Sequence, residues 1–344
     1  MTKVLMFAAV TAVMATSATA QNVLRFADYG GNRGIRAEFV TKYLDEVETR
    51  SEGRIKIERH WAQSLLSAKE ILDGIKNGVA SIGTVTAGFT PEDLFAYRVG
   101  DLPIESPNEV AGSMALYDLA TQNETLKQEF EEQGVVYLLN YSVGPIQMVC
   151  SGEPMEHVED FEGKKVRATA DYGQIYGKFG AIHVPLALPE AYQALDSGLI
   201  DCSQAYGYVI ESYKLHEVAD SITVIDGATI QSNAMFISQR EFDSLDPKDQ
   251  EMMVSLGKEY TRKLAEAMRE RNQHVIDMLG GEGFDGKVLK VSRFTDEDRA
   301  KLSEAGQPFI EEYIAEGEKR GVDAHALVEE YKRLLASYLS EVQN

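Results

Sequence analysis

The residue types that could carry out catalysis are scattered along this chain without the spacing that enzymes need. The six histidines stand at positions 60, 157, 183, 216, 274 and 325, and no two share the three- or four-residue spacing of a helical metal site. The sequence contains no Gly-x-Ser-x-Gly turn, phosphate-binding loop, zinc-type cysteine pair or EF-hand loop. We therefore predict no metal, no cofactor and no enzymatic activity.

One segment combines a turn, basic residues and the beginning of a strand: Asp160-Phe161-Glu162-Gly163-Lys164-Lys165-Val166-Arg167-Ala168. Successive strand side chains face opposite sides. The pattern places Arg167 near the start of the strand, beside the loop that holds Tyr172. On the residues alone, Arg167 is either a surface arginine or a group that binds an anion, because a planar guanidinium offers two parallel donors to a carboxylate.

The N-terminus indicates export. Residues 1–20 combine Lys3, an apolar run and the small-x-small site Ala18-Thr19-Ala20, which predicts a cleaved signal peptide. No later stretch is apolar enough to cross a bilayer, so we expect a protein that is not itself membrane-embedded. In an oxidising compartment Cys150 and Cys202 could form a disulfide, but two separate buried thiols fit the sequence equally well.

The elements that would position these groups alternate between strands and helices. Alternation of Ile55 and Ile57 with charged residues predicts a half-buried strand. Residues 71–79 and 191–199 each predict a short helix, a glycine cap and a strand, which indicates two lobes built on one plan. Asp246 and Pro247 predict the start of a helix of about thirty residues. Such a helix is long enough to brace both lobes.

Composition restricts the possible partners. The chain has 344 residues and a formal net charge of −21. A surface this acidic repels phosphate backbones and anionic lipid, so we expect no nucleic-acid partner. The net charge does not exclude a local positive charge inside a cleft.

An ordered set of motifs resembles one known family. The chain is similar to the extracytoplasmic solute-binding proteins of tripartite ATP-independent periplasmic (TRAP) transporters, of the dicarboxylate-binding (DctP) type. The motifs follow the N-terminal signal in this order: Ser51-Glu52-Gly53-Arg54-Ile55, Asn77-Gly78, Glu162-Gly163-Lys164-Lys165-Val166-Arg167, Pro189-Glu190-Ala191-Tyr192-Gln193-Ala194-Leu195, Gly198-Leu199-Ile200-Asp201 and Phe242-Asp243-Ser244-Leu245.

The resemblance implies a periplasmic, two-lobed α/β binding protein (type II-like) with a hinge and a long helix bracing both lobes. We assign residues 21–143 plus 233–275 to lobe 1, and residues 144–232 plus 276–344 to lobe 2. The lobes would close around a small organic acid, with Arg167 on its carboxylate, and deliver it to the membrane permease subunits.

The resemblance also suggests ligand-facing positions. Relatives that bind sialic acid carry a second arginine where this chain has Gln147, and a binding asparagine where it has Ala205, so sialic acid and C4-dicarboxylates are disfavoured. The remaining candidates are aromatic or neutral and polar, and for each ring the alternative is core packing. They are Tyr29, Trp61, Phe89, Tyr172, Tyr206 and Asn233.

Two other functions remain open on the sequence. A ligand-binding sensory protein would carry the same kind of site. A periplasmic enzyme would need a base or nucleophile, and the candidates His60, His183 and Cys202 have no recognisable partner. The expected ligand is a monocarboxylate with a hydroxylated, cyclic or aromatic body.

Overall fold

The computed structural model describes residues 21–342 apart from residue 285, and its strands form two sheets. The predicted signal peptide lies outside the described residues. The strands are β1 (Asn22–Ala27), β2 (Ile55–His60), β3 (Ile82–Thr86), β4 (Val135–Tyr141), β5 (Pro145–Cys150), β6 (Lys165–Arg167), β7 (Ile182–Val184), β8 (Cys202–Ala205), β9 (Ser221–Thr229), β10 (Asn233–Ser238) and β11 (Lys290–Arg293). The first sheet has the order β2-β1-β3-β10-β4, and the second has the order β11-β9-β5-β8-β6-β7.

Helices cover both sheets. They are α1 (Gly34–Arg50), α2 (Ile71–Lys76), α3 (Glu109–Gln122), α4 (Glu124–Glu132), α5 (Ala170–Gly177), α6 (Ala191–Asp196), α7 (Gly207–Ser212), α8 (Leu215–Val218), α9 (Gln239–Asp243), α10 (Pro247–Gly280), α11 (Asp296–Arg320) and α12 (Ala324–Val342). Within the described part of the chain, none of these helices is both long and apolar enough to cross a membrane.

Sequence patterns account for several of these elements. Ile55 and Ile57 of β2 are buried and their charged neighbours are exposed, as the alternation predicted. The repeated helix–glycine–strand phrases form α2 with β3 and α6 with β8. Gly78 and Gly198 follow the helices at φ of 72° and 69°, a left-handed conformation that glycine adopts without a steric penalty.

Within the described residues the chain passes between the sheets three times, twice at neighbouring points and once along α10, which lies between β10 of the first sheet and β11 of the second. It leaves the first sheet after Tyr141 and enters the second at Pro145, and it returns between Thr229 and Asn233. We call the first sheet with its helices lobe 1, and the second sheet with its helices lobe 2. The predicted two-lobed α/β fold is confirmed.

The long helix α10 packs against both lobes. In its first half, Gly257 lies so close to β4 that an added Cβ would stand 1.9 Å from the carbonyl oxygen of Leu138. In its second half, Asn272 Oδ1 accepts the backbone N–H of Tyr208 at 2.8 Å, which attaches α10 to α7. The helix predicted from Asp246 and Pro247 therefore exists, although the Asp246 side chain forms no capping hydrogen bond.

The last helix departs from the expected lobe assignment. Helix α12 lies in the range assigned to lobe 2, but it packs against α3. Its buried residues Leu327, Val328 and Tyr331 belong to the same apolar cluster as Phe236 of β10 in the first sheet. The packing differs because an amphipathic terminal helix can bury its apolar face on either lobe, and the sequence does not specify which. The exact lobe boundaries stay a prediction.

Candidate functional site

The strand ends of the two sheets lie near each other, because Tyr206, which follows β8, interacts electrostatically with Tyr29, which follows β1. In lobe 1, Asp28 and Tyr29 follow β1 directly, and Thr86 ends β3. In lobe 2, Arg167 ends β6 and Tyr206 follows β8. In open α/β sheets the crevice outside the carboxyl ends of parallel strands is the usual place for a ligand. The polar residues of these ends therefore define the candidate site.

Arg167 is the charged group of lobe 2 at this site. The strand β6 has only three residues, so Arg167 is its last residue and not near its start as the sequence suggested. The residue is 6% exposed. Its Nε donates to the carbonyl oxygen of Leu186 at 2.9 Å, and its Nη1 donates to that of Gln204 at 3.1 Å. Two backbone acceptors thus fix the orientation of the guanidinium.

No described carboxylate forms an ion pair with Arg167. Burial lowers the pKa of Arg167, and the phenol of Tyr206 and the carboxylate of Glu190 only partly offset that effect. Glu190 is exposed and accepts the backbone N–H of Ala187 instead. A buried cation without an anion is costly in free energy. The arrangement therefore favours an anion supplied from outside the chain.

Tyr206 stands next to this guanidinium. Burial raises the pKa of the Tyr206 phenol, and the charge of Arg167 lowers it in part. The Gln204 side chain donates to the Tyr206 hydroxyl at 3.2 Å, and it also accepts the backbone N–H of Thr169 at 3.3 Å. Gln204 therefore links the two segments that carry Arg167 and Tyr206.

A chain of hydrogen bonds orders the lobe 1 side. The Thr86 hydroxyl donates to Asn233 Oδ1 at 2.7 Å, so Tyr29 donates to the Thr86 oxygen at 2.9 Å. Asn233 Nδ2 is 3.5 Å from the carbonyl oxygen of Tyr141. Asn233 is 2% exposed, and both ends of its amide have partners within the protein. The structure thus gives Asn233 the role of holding Thr86 and Tyr29.

The predicted aromatic residues divide between the two lobes. Tyr29 and Phe89 are half-buried and meet edge to face at 5.6 Å in lobe 1. Trp61, also half-buried, follows β2 and contacts Phe26 edge to face at 5.2 Å. Tyr172 lies buried on α5, and its hydroxyl has no hydrogen-bond partner among the described residues.

Gln147 is used inside the second sheet. It is 1% exposed, its Nε2 donates to Asp226 at 2.7 Å, and its Oε1 accepts the backbone N–H of Ile225 at 2.8 Å. Both ends of this amide are therefore engaged within the protein, which leaves the ligand role of Gln147 as an unsupported prediction.

Lobe 1 also contains a buried ion pair that the sequence did not predict. Arg36 Nη1 and Nη2 donate to the two carboxylate oxygens of Asp28 at 2.7 and 3.1 Å. Burial alone would lower the pKa of Arg36, but the pairing with Asp28 holds it well above the usual value. The Arg36 guanidinium carbon lies 6.0 Å from the Trp61 ring centroid and 5.8 Å from that of Tyr141. The sequence offered one hint of this pair: Arg36 is a charged residue in the first turn of α1, directly after the glycine-rich loop.

Two side-chain contacts join residues of the two lobes. The Arg33 guanidinium carbon lies 4.7 Å from the ring centroid of Tyr213, which follows α7. Arg98 of lobe 1 and Asp171 of α5 form an ion pair at 3.4 Å. The lobes thus contact each other across the crevice.

Two of the three groups that an enzyme could use, His183 and Cys202, are engaged elsewhere, whereas His60 Nε2 is buried and has no hydrogen-bond partner among the described residues. Cys150 and Cys202, paired directly across β5 and β8, form a disulfide. His183 is within 3.1 Å of the carbonyl oxygen of Ala168. Among the described residues, no group of three or more His, Cys, Asp or Glu side chains is placed to hold a metal ion.

Two α/β lobes are joined by two neighbouring crossings and by the long helix α10, and a buried arginine without an acidic partner among the described residues lies at the strand ends. These features define the class of two-lobed solute-binding proteins. The chain belongs to the family of bacterial extracellular solute-binding proteins, family 7, which matches residues 26–316. This match confirms the family resemblance seen in the sequence.

Individual relatives agree over nearly the whole length. The ectoine-binding periplasmic protein TeaA of Halomonas elongata is 24% identical over 334 residues, which is 95% of this chain and 94% of TeaA. A TRAP periplasmic solute-binding protein of Desulfovibrio salexigens, solved as an open complex, has a TM-score of 0.82 at 22% identity and covers 93% of this chain and 97% of its own. A marine metagenome TRAP solute-binding protein, specific for aromatic acid ligands, has a TM-score of 0.80 at 21% identity and covers 92% and 99%.

Proposed function

We propose that this protein works in the periplasm, where it captures a small organic monocarboxylate between its lobes and delivers it to the membrane subunits of a TRAP transporter. Arg167 binds the carboxylate, and the half-buried rings of Tyr29, Trp61 and Phe89 contact the body of the ligand. The protein itself carries out no chemistry on the ligand.

The lack of an acidic partner for Arg167 carries this proposal. A carboxylate that takes the free side of the guanidinium would form charge-assisted hydrogen bonds in a site with little water, where such bonds are strong. Because two backbone carbonyls already hold Arg167 in place, little side-chain entropy is lost on binding.

The ligands of structural neighbours support an acid with a ring. The marine metagenome protein was solved with metahydroxyphenylacetate. A TRAP periplasmic solute-binding protein of Bordetella bronchiseptica was solved with mandelate. Edge-to-face rings such as Tyr29 and Phe89 offer an apolar wall of the kind that an aromatic ring packs against.

A thermal-shift screen of organic acids, followed by calorimetry, tests the proposal. A ligand that binds only the folded state raises the melting temperature. The variant Arg167→Gln should then lose affinity for the best acid by roughly 30-fold or more, because truncating one partner of a buried charge pair costs about 2–5 kcal/mol.

The matched control is Arg293→Gln, which removes an exposed arginine of the same lobe and should leave the affinity unchanged. Equal affinity in the Arg167→Gln variant would refute the site. Delivery is tested by uptake of the labelled acid into vesicles that contain the two membrane subunits, with and without this protein.

A further inference from the structure

Arg36 and Arg167 are the two buried arginines of the described residues, and they differ in one respect. Arg167 has only backbone acceptors, whereas Arg36 is paired through both terminal nitrogens with Asp28. The Asp28 side chain is fully buried, and its Oδ1 also accepts the backbone N–H of Gly30 at 2.6 Å. Asp28 is therefore held in place independently of the arginine.

The Arg36–Asp28 pair borders the proposed ligand site. Asp28 immediately precedes Tyr29, and Arg36 lies near the rings of Trp61 and Tyr141. The Tyr141 hydroxyl is buried and has no hydrogen-bond partner among the described residues.

The charge of Arg36 also acts on a tyrosine of lobe 2, Tyr208. Burial raises the pKa of the Tyr208 phenol, the charge of Arg36 lowers it, and Tyr206 raises it further. Tyr206 is the same phenol whose pKa Arg167 lowers. The two guanidinium groups thus act on one shared cluster of tyrosines.

The pairing decides how many anionic groups the crevice can hold. Without Asp28, Arg36 would be a second buried cation that could bind a second carboxylate. With Asp28 in place, a second ligand carboxylate would meet a neutral pair and bring an uncompensated negative charge into a site with little water. Neutral hydroxyl groups and rings carry no such penalty.

We propose that Asp28 is a specificity-determining residue, which neutralises Arg36 and so restricts the site to monocarboxylates and excludes dicarboxylates. This inference rests on the proposed function, because it concerns the same site. Removing the Asp28 charge should release Arg36 for a second carboxylate.

The direct test is Asp28→Asn, which keeps an oxygen for the N–H of Gly30 and removes the charge. The probes are four dicarboxylates of increasing span: malonate, succinate, glutarate and isophthalate. Each is compared with a matched monocarboxylate in which methyl or hydroxyl replaces one carboxylate, as 3-hydroxybenzoate does for isophthalate. We expect calorimetry to show at least a tenfold gain in affinity for one or more dicarboxylates, since a hydrogen bond to a charged group is worth that factor or more. The matched monocarboxylates should change much less.

Two controls separate this effect from others. The double variant Asp28→Asn with Arg36→Met should lose the gain, because the released charge is gone. Asp171→Asn releases Arg98 from a partly exposed pair between the lobes, where solvent already reaches both side chains, and should give no gain. A gain that persists in the double variant, or no gain in Asp28→Asn, overturns the proposal.

Unpairing Arg36 will lower stability, so a second variant is needed. Asp28→Ser leaves room for water beside the guanidinium, and its melting temperature should rise more with a dicarboxylate than with the matched monocarboxylate. The opposite order also overturns the proposal. Failure of the wild type to bind any monocarboxylate would refute the proposed function separately, because the gain in the variants is measured on dicarboxylates.

Discussion

Asp101 stabilises the segment in which the chain returns from lobe 2 to lobe 1, and the pH dependence of stability tests this contribution quantitatively. It ends a short 3₁₀ turn, Ala96–Asp101, and its Oδ1 accepts the backbone N–H groups of Gln231 at 3.0 Å and Ser232 at 2.8 Å. Those two residues lie between β9 and β10. Burial raises the pKa of the Asp101 carboxyl to about 6, and the hydrogen bonds from Ser232 and Gln231 offset this only in part.

The sign of the effect on stability follows from the raised pKa. The folded protein binds a proton on Asp101 more tightly than the unfolded chain, whose carboxyl has a pKa near 3.8. The stabilising contribution of this proton is therefore complete below the unfolded pKa and is lost as the pH rises through the folded pKa of about 6. A shift of two units corresponds to about 3 kcal/mol, and because the side chain is partly accessible we expect about 1–3 kcal/mol.

The variant Asp101→Asn should thus unfold with a free energy close to that of the wild type at pH 4, and about 1–3 kcal/mol higher at pH 7.5. Asparagine remains neutral and keeps the Oδ1 acceptor for both N–H groups. Urea denaturation at a series of pH values measures the difference. A stability difference that does not grow between pH 4 and 7 would refute the reasoning.

The variant Glu129→Gln is a matched comparison, because it also replaces a buried carboxyl whose pKa is raised and should also be more stable than the wild type at neutral pH. Glu129 accepts the backbone N–H groups of Ala96 at 2.5 Å and Tyr97 at 3.0 Å, and burial raises its pKa to about 7. The free energy of unfolding of the Glu129→Gln variant should exceed that of the wild type by an amount that grows from about pH 4.5, the pKa in the unfolded chain, up to about pH 7. A stability difference between Glu129→Gln and the wild type that does not grow between about pH 4.5 and 7 would contradict the burial argument for Glu129.

Three further predictions concern covalent structure, the ligand site and packing. Denatured, unreduced protein should show no free thiol, and two titratable thiols would contradict the disulfide. Replacing Cys150 and Cys202 by alanine should lower the free energy of unfolding by about 4 kcal/mol, because the disulfide closes a loop between cysteines 52 residues apart. Trp61 emission should change on titration with the bound acid, and a silent spectrum at saturation would place the ring away from the ligand. Gly257→Ala should cost about 3 kcal/mol because its Cβ meets a β4 carbonyl, while Gly177→Ala, with open space around it, should cost much less by urea denaturation.

Two of the predicted site residues already have hydrogen-bond partners inside the protein. Gln147 and Asn233 looked like polar groups free to bind a ligand, but each amide is used by its neighbours in the folded chain. Buried amides nearly always find partners inside the protein, and those partners are invisible in the sequence because they come from distant segments. Asp226 is 79 residues from Gln147, and Thr86 is 147 residues from Asn233.

Several elements could be predicted from residues that are close together in the chain. The alternation in β2, the glycines that end α2 and α6, and the proline that starts α10 act on the backbone within a few residues, so their patterns predict the elements directly. The resemblance of the Gly-Lys-Lys-x-Arg segment to the family predicted that Arg167 binds the ligand carboxylate, and this role stays a prediction.

Which buried charges lack a partner of opposite charge depends on tertiary contacts and could not be predicted from the sequence. By charge alone, the sequence does not distinguish Arg36 from Arg167. In the folded chain Arg36 forms an ion pair with Asp28, whereas Arg167 donates only to two backbone carbonyl oxygens. The side on which α12 packs was decided in the same way. Whether a buried charge is neutralised depends on the arrangement of atoms within a few ångströms, because desolvation makes those few contacts outweigh the net charge of the whole chain.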